Sequence, residues 1–243
     1  MTEQHMQKYS GFELEDAEQI EAEFGKSASS FLKLKVGKNT IRVLPGHGGE
    51  KALKVVWEHQ FNTPNGFVNF ACPRYMAKRS CIACMKADSL KASGNPADYE
   101  RAKDFFAKCR VYTNVIDRAE PEVGPKVWAF GKNIYQQLKD IRDDEDFGGD
   151  FTHPETGFDI VVNRLGTTKN DTKYFCKGRQ QSPLGNNDWL EHMHSLTKYA
   201  AILSENEIRD RIAGGRKETS QRSGSSTIVD QTFDDRGVDD PPF

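Results

Sequence analysis

The sequence predicts an α+β fold, and three observations support this prediction. Apolar and polar residues alternate in several segments between residues 30 and 179, and this alternation is the period of β-strands. One histidine and three cysteines cluster within residues 57–91, which indicates a zinc subdomain inserted into the β-rich body. Beyond residue 213 apolar residues become scarce, and such a segment cannot bury enough apolar surface to fold. We therefore expect a core at residues 30–213 with peripheral helices, and a disordered acidic tail at residues 214–243.

Charge is distributed unevenly along the chain of 243 residues. The net charge is -2, but residues 1–29 carry two basic and seven acidic groups, residues 30–213 carry 28 and 23, and residues 214–243 carry four and six. A basic body between acidic ends indicates a surface that binds polyanions. A capping box at Ser10 and Glu13 and an apolar stripe predict a helix in the acidic amino-terminal arm, residues 1–29. This helix either packs on the body or serves as a self-association or regulatory arm.

Composition argues against secretion and membrane spanning. The five cysteines are an odd number, and the amino terminus has no apolar run that resembles a signal peptide. No stretch approaches the length of about 18 apolar residues that a membrane span needs. We therefore expect a cytoplasmic protein with no membrane partner.

The core is predicted to contain strands interrupted by helices. Strands are expected at residues 31–36 and 41–43 as one hairpin, at 54–61 and 67–70 as a second hairpin, and singly at 109–117, 126–132, 158–165 and 173–179. Helices are expected at residues 83–91, 97–108, 133–142, 188–196 and 205–213. The last of these helices begins with a capping box at Ser204 and Glu207.

Four residues form the predicted zinc ligand set, namely His59, Cys72, Cys81 and Cys84. Two sulfurs separated by two residues bind one ion through a tight turn, and three thiolates with one imidazole complete a closed tetrahedron. A closed ligand shell leaves no position for catalytic water, so one structural Zn²⁺ is expected. His47 is the alternative to His59, and a redox dithiol or uncoordinated buried cysteines are the alternatives to a metal site.

A second pattern places cations beside aromatic rings on one face of three predicted strands, and no carboxylate shares these faces. Such a surface suits a single strand of nucleic acid, because bases stack on the rings while phosphates meet the cations. The residues at and beside these strands are Arg110, Tyr112, Lys126, Trp128, Phe130, Lys132, Lys173, Phe175, Lys177 and Arg179. Further candidate contacts are Lys33, Lys35, Arg74, Tyr75, Lys78, Arg79 and Tyr135.

Together these features resemble the zinc-containing single-stranded DNA-binding proteins of T-even-type tailed phages, the helix-destabilising replication proteins. The resemblance rests on the four predicted zinc ligands and on the run Lys126-Val-Trp-Ala-Phe-Gly-Lys-Asn-Ile-Tyr135, and it covers about residues 30–200. It implies an OB-fold β-barrel core, a zinc subdomain and an extended groove that binds single strands without sequence preference. The implied role is to coat DNA during replication, recombination and repair in the infected bacterial host cell.

The two ends of the chain depart from that family. Its best-known members begin with a basic segment for cooperative self-association, whereas residues 1–29 are acidic, so only weak self-association on DNA is left open. The other end resembles the acidic tip of bacterial single-strand-binding proteins, which implies that the tail binds replication and recombination proteins. The residues of this tip are Asp239, Asp240, Pro241, Pro242 and Phe243.

Two other functions use the same features. A single-stranded RNA-binding regulator of translation would present the same basic and aromatic surface. A zinc-dependent nucleic-acid enzyme needs an open metal position, and the deaminases also need a glutamate in a His-x-Glu arrangement. His59 is instead followed by Gln60 and Phe61. We therefore expect no enzymatic activity.

Overall fold

The alternating segments of the core form strands that pair in one mostly antiparallel, seven-stranded sheet. The computed structural model describes residues 30–63, 66–145, 148–168 and 171–213. The strands are β1 (Gly37–Val43), β2 (Leu53–Thr63), β3 (Gly66–Ala71), β4 (Lys108–Asp117), β5 (Lys126–Phe130), β6 (Phe158–Leu165) and β7 (Lys173–Gln181). The predictions for the amino-terminal arm and for the acidic tail lie outside the described residues.

Five α-helices lie in the described part of the chain, and none of them is long and apolar enough to cross a membrane. They are α1 (Pro73–Ala77), α2 (Ile82–Ala92), α3 (Pro96–Lys103), α4 (Lys132–Asp143) and α5 (Glu205–Ile212). Short 3-10 helices occur at Pro121–Val123, Asn187–Leu190 and Thr197–Ala200. The protein is therefore an α+β protein, as the sequence predicts.

Strand β4 pairs with more strands than any other strand of the sheet. The strand order is β3-β2-β4-β1-β6-β7, and β5 pairs with β4 outside this path. Val111 of β4 pairs with both β2 and β5, and Val115 of β4 pairs with both β1 and β5. Because a strand has two edges, β1 and β2 share one edge of β4 and β5 takes the other. As a result β4 is paired along both edges, while β3 and β7 end the sheet.

The main core lies between one face of the sheet and α4. Trp128 and Phe130 of β5 are 0% exposed and belong to the same apolar cluster as Ile134 and Leu138 of α4. Val111 of β4 joins this cluster from the neighbouring strand. Burial of each large apolar side chain contributes roughly 1.5–3 kcal/mol, so these residues hold α4 on the sheet.

The opposite face of β4 is covered by residues 184–203, which we call the strap. Tyr199 of the strap stacks on Tyr112 of β4 with ring centroids 4.5 Å apart. The Asn114 side chain of β4 exchanges hydrogen bonds of 2.9 and 3.0 Å with the backbone of His194 in the strap. Strand β4 is therefore covered on both faces as well as paired on both edges.

The first predicted hairpin is wrong, because residues 31–36 form no strand. A single parallel bridge joins Phe31 to Val127, and β1 pairs with β4 and β6 instead. Leu32 and Leu34 are nevertheless buried in the main core. The alternation in this segment therefore reflects packing of every second side chain against the core rather than strand pairing.

Two predicted helices also differ from the structure. The helix predicted at residues 97–108 ends at Lys103, and Lys108 already begins β4. The helix predicted at residues 188–196 does not form: a 3-10 helix covers Asn187–Leu190, and the next one begins only at Thr197. The physical reason lies in the backbone N–H groups of His194 and Leu196, which bind side chains of other segments instead of a preceding helical turn.

The remaining predicted elements of the core are confirmed, except that the strand predicted at residues 126–132 ends at Phe130 and Lys132 already begins α4. The second hairpin joins β2 to β3, and helices α2 and α4 lie where the apolar period placed them. Helix α5 begins with the predicted capping box, because the Ser204 hydroxyl accepts from the Glu207 backbone N–H while the Glu207 carboxylate accepts from the Ser204 backbone N–H. Local signals of this kind are decided within a few residues, so a single sequence reveals them.

Candidate metal centre and nucleic-acid interface

The predicted zinc ligands converge at one buried point. One donor atom from each of His59, Cys72, Cys81 and Cys84 lies within 4.8 Å of all the others. The His59 Nε2 atom lies 3.3 Å from the Cys81 Sγ atom and 3.5 Å from the Cys84 Sγ atom. The Cys72 and Cys84 Sγ atoms are 3.5 Å apart. His47 is exposed in the loop between β1 and β2 and does not belong to this group, so His59 is its histidine.

The spacing of these atoms fits a single tetrahedral Zn²⁺. Ligand distances of about 2.0–2.3 Å place the donor atoms of such a site about 3.5–3.8 Å apart. Three sulfurs and one imidazole nitrogen form a donor set that suits zinc, and all four side chains are buried. The other ring nitrogen of His59, Nδ1, has no hydrogen-bond partner in the described part of the chain, which leaves Nε2 facing the sulfurs. The residues therefore fit one structural zinc ion.

Local structure explains how the four ligands meet. His59 on β2 pairs directly with Phe70 on β3, and Cys72 follows the end of β3. Cys72 immediately precedes α1, and Cys81 immediately precedes α2. Cys84 lies in the first turn of α2, where the partial positive charge of a helix amino terminus favours thiolates. A strand pair and two helix starts thus bring the four donor atoms together.

Contacts within the cluster shift the pKa values of His59, Cys81 and Cys84. Burial lowers the pKa of His59, but hydrogen bonds that its protonated ring donates to Cys72 and Cys81 outweigh burial and raise this pKa to about 9. Hydrogen bonds from Cys72 and Cys84 lower the pKa of the Cys81 thiol, whereas hydrogen bonds that the Cys84 thiol donates to Cys72 and Cys81 raise the pKa of Cys84. The Cys84 thiol therefore does not ionise readily unless a cation neutralises the charge. A divalent metal supplies that charge when it displaces the protons.

Five of the predicted nucleic-acid contacts are buried, and the expectation for them is corrected. They are Arg110, Tyr112, Lys126, Trp128 and Phe130, with exposures from 0% to 7%. Trp128 and Phe130 belong to the main core, Tyr112 lies under the strap, and Lys126 forms an ion pair of 2.9 Å with Glu120. A covered ring offers no face to a base. The strand period was correct, but both faces of β4 and β5 are covered.

Strand β7 keeps its predicted face open. Lys173, Phe175, Lys177 and Arg179 are all exposed, and Phe175 is 53% exposed despite its large apolar ring. The alternate residues of β7 pack against the main core. The predicted exposure of this face is therefore confirmed. The face carries one exposed aromatic ring and three cations.

A groove of about 970 Å³ lies beside this face. It is lined by residues 176–182, by Lys38 of β1, by Asp159 and Val161 of β6, and by Asp144 after α4. Asp159 is neutralised by Arg118, whose guanidinium lies 2.9 Å from the carboxylate. The groove therefore presents Lys38, Lys177 and Arg179 beside Asp144.

Sequence reasoning missed Lys38 and Asn163. The register places Lys38 of β1 opposite Asn163 of β6, and Asn163 opposite Phe175 of β7, so the three residues form one row across the sheet. The sequence prediction places Lys38 in the turn of the first hairpin, between residues 31–36 and 41–43. Its alternation with the buried residues Ile41 and Val43 is a signal that could have placed it on a strand.

The predicted contacts near the metal centre are less open than those on β7. Arg74 is half-buried and forms an ion pair of 2.8 Å with Asp88, and Tyr75 is half-buried and stacks on Trp57 with centroids 5.0 Å apart. Lys78 and Arg79 are exposed in the loop between α1 and α2. The loop therefore adds two exposed cations to the protein surface beside the cluster.

The remaining predicted contacts are exposed but lie on different elements. Lys33 and Lys35 precede β1, and Lys132 and Tyr135 lie in the first turns of α4. Lys35 forms an exposed ion pair of 3.5 Å with Glu120, and a pair of this kind contributes little to stability. These side chains are accessible to a ligand, but they do not share a strand face with Phe175.

The chain matches no protein-family model, and a search of the curated proteins finds no match either. A fold by itself does not imply a function. The geometry and chemistry of the metal centre and of the β7 face therefore carry the functional argument.

Proposed function

We propose that this chain is a nonenzymatic single-stranded DNA-binding protein that coats exposed strands without sequence preference. The observation that carries the proposal is the open face of β7, where Phe175 is 53% exposed between the exposed Lys173 and Lys177. An exposed ring flanked by cations suits single strands, because each stacked base contributes roughly 1–3 kcal/mol whatever its identity. The resemblance to T-even-type phage proteins supports a role in phage DNA replication, recombination and repair.

An OB-type core is part of the proposal. The path β5-β4-β1-β6-β7 is a five-stranded subset of the sheet, and α4 connects β5 to β6. An OB-fold is a five-stranded, partly open Greek-key barrel that binds oligonucleotides. In this subset β5 and β7 are the two ends, so β7 lies at the open side of such a barrel.

Preference for single strands follows from the position of the ring. Bases in a duplex are paired and stacked on their neighbours, so only an unpaired base reaches the exposed face of Phe175. Lys173, Lys177 and Arg179 then meet the phosphates of the same strand, and release of counterions makes the affinity depend on salt. Nothing in this arrangement selects one base over another.

The proposed role of the metal centre is structural. A bound Zn²⁺ supplies four bonds that join β2, the start of α1 and the start of α2. The loop with Lys78 and Arg79 lies between two of the ligands, Cys72 and Cys81, so its position depends on that cross-link. The closed S₃N donor set leaves no position for a reacting water, which is consistent with a binding protein rather than an enzyme.

We further propose that the acidic tail, residues 214–243, recruits replication and recombination proteins. Its last residues combine aspartates with a terminal Pro-Pro-Phe. A carboxylate-bearing apolar end enters an apolar pocket that is lined by Arg or Lys, while nearby acidic groups steer the encounter. A tail that served solubility alone would not need both features.

The binding experiment compares the full chain with three ligands at one salt concentration: poly-dT, a duplex of equal length and poly-U. We expect tight binding to poly-dT and weak binding to the duplex. Phe175→Ala should weaken poly-dT binding by roughly 1–3 kcal/mol. Val123→Ala, which removes another exposed apolar side chain, is the control and should leave binding unchanged.

Equal affinity for duplex and single strands would rule the proposal out. Tighter binding of poly-U than of poly-dT would instead favour an RNA-binding regulator of translation. If Phe175→Ala bound poly-dT as tightly as the wild type, the β7 face would not be part of the DNA-binding surface.

A further inference from the structure

The free edge of β7 is partly closed by one side chain of α4. The Cys176 backbone N–H donates to the Gln137 Oε1 atom at 2.8 Å, and the Gln137 Nε2 atom donates to the Tyr174 carbonyl at 3.0 Å. A residue of a parallel strand would make these same two bonds with its backbone. The amide of Gln137 therefore takes the place of one strand residue along this edge.

Beyond Gln137 the same edge is open. In an antiparallel ladder the residues alternate between those that bond to the paired strand and those that point away from it. Cys176 points away from β6 toward Gln137, so Gly178, two residues later, also directs its N–H and carbonyl away from β6. No described residue outside β6 bonds to the backbone of Gly178 or to the Cys176 carbonyl. These three groups form the start of an unfilled ladder.

The groove of about 970 Å³ follows this open edge. Residues 176–182 line it on the strand side, and Ile141 and Asp144 line it from the end of α4. Gly178 has no side chain, and a Cβ atom there would lie 2.9 Å from the Phe158 ring and 3.2 Å from Ile141. The glycine lets the core pack directly against the strand, and its backbone faces the groove.

The charges beside the edge decide between possible occupants. A second copy of β7 would bring Lys177 and Arg179 against the same cations, and like charges on neighbouring strands are destabilising. A nucleic-acid backbone has no N–H donor for the carbonyls of Cys176 and Gly178. A peptide strand supplies both donors and acceptors at the spacing of a sheet, and acidic side chains would complement the cations.

We propose that residues 176–179 of β7 are a docking site for an extended, acidic segment of a partner protein, which adds to the sheet as an eighth strand. The backbone of the segment bonds to Gly178 and to the Cys176 carbonyl, and its acidic side chains meet Lys177 and Arg179. Gln137 sets the end of the site, because its amide already fills the preceding position. The proposal goes beyond DNA binding and does not require it.

The test uses the full chain and a synthetic Glu-Val repeat of about eight residues, a typical strand length, with blocked ends. A matched control peptide carries an N-methyl group on every residue, which removes the backbone donors of both strand edges but keeps the charge. The measurement is amide hydrogen exchange resolved by residue. We expect the unmodified peptide to slow exchange at Gly178 by about tenfold or more, because the amide becomes bonded.

Two neighbouring amides serve as internal controls. The Cys176 N–H is already bonded to Gln137, and the Lys177 N–H faces β6, so neither should change much. Poly-dT should leave the Gly178 amide unchanged even where it binds the β7 face, so failure of DNA binding and failure of this proposal remain distinguishable. Lys177→Gln with Arg179→Gln should weaken peptide binding.

Three outcomes would overturn the proposal. One is equal binding of the N-methylated and unmodified peptides, which would reduce the interaction to charge alone. Another is unchanged exchange at Gly178 when the peptide is bound. The last is a Gly178 amide that is protected in the full chain and exposed after truncation at Thr227, which would make the protein's own tail the occupant.

Discussion

The phenol of Tyr112 donates a hydrogen bond of 2.6 Å to the buried carboxylate of Glu58, the residue that precedes the candidate metal ligand His59. Gln60 and Asn69 donate to the same carboxylate at 2.8 and 3.3 Å. Burial raises the pKa of Glu58, and the three donors act in the opposite direction by stabilising its ionised form. Tyr112 therefore supports the strand that carries the metal ligand and does not belong to a nucleic-acid surface.

Tyr112→Phe should lower stability without changing DNA affinity. The variant removes a donor from a carboxylate that is 2% exposed, and an unsatisfied buried group costs about 1–3 kcal/mol. Urea unfolding measures the loss, and Tyr135→Phe is the control because the Tyr135 side chain is exposed. If Tyr112→Phe kept normal stability but bound poly-dT more weakly, the result would indicate that Tyr112 contacts DNA.

Loss of one metal ligand should abolish zinc binding and destabilise the fold. Cys84→Ser replaces a thiolate of the buried cluster, and binding of a structural zinc contributes folding free energy on the order of 10 kcal/mol. Metal analysis should find one zinc per chain in the wild type, and cobalt substitution should give a spectrum of three thiolate ligands. Cys109→Ser is the control, since Cys109 lies outside the cluster. Full zinc occupancy in Cys84→Ser would contradict the assignment.

Salt dependence separates an exposed cation from a buried one. If about five phosphates are bound, log affinity should fall against log salt with a slope near -3.5, and Lys177→Gln should reduce its magnitude by about 0.7. Lys126→Gln is the matched control, because Lys126 is 7% exposed and its Nζ atom is bound to Glu120. The control should change stability but not the slope. The reverse pattern would show that Lys126 meets phosphate.

Glu50 should make the strap sensitive to acid. Its carboxylate accepts from the Ser195 hydroxyl at 2.6 Å and from the Leu196 backbone N–H at 2.7 Å. Hydrogen bonds from Ser195 and Thr197 lower the pKa of Glu50 from 4.5 to about 2. A lowered pKa stabilises the folded state above the ordinary value, and this contribution is lost as pH falls from 4.5 toward 2.

The measurement for Glu50 is the difference in unfolding free energy between wild type and Glu50→Gln across that pH range. The wild type should be the more stable protein at pH 6, and the difference should shrink on acidification because the carboxylate becomes protonated. A difference that stays constant with pH would mean that the ionised carboxylate contributes no more than the amide.

Mutations should distinguish the role of the terminal Phe243 from the role of the aspartates in the tail. Phe243→Ala should leave poly-dT affinity nearly unchanged but weaken the capture of replication and recombination enzymes. Truncation after Thr227 should also tighten DNA binding modestly at low salt, because it removes five aspartates that compete for cations, and this effect should vanish at high salt. Equal partner recovery from all three proteins would leave the tail a role in solubility alone.

The metal cluster could be read from the sequence because its chemistry is local. Three of its four ligands, Cys72, Cys81 and Cys84, lie within a short stretch of chain, and their residue types and spacing suit one tetrahedral ion. The sequence alone leaves His47 as an alternative to His59, because both offer an imidazole. The register of β2 with β3 settled that choice by placing His59 beside the sulfurs.

Strand period alone could not identify the open face. It grouped Arg110 with Tyr112 on β4 and Phe175 with Lys177 on β7, and it correctly placed each pair on one side of its strand. Only the tertiary structure decided that the β4 pair is buried, with Tyr112 under the strap, while the β7 pair stays exposed. The physical reason is that alternation is a property of one strand, whereas burial depends on which distant segment packs against it.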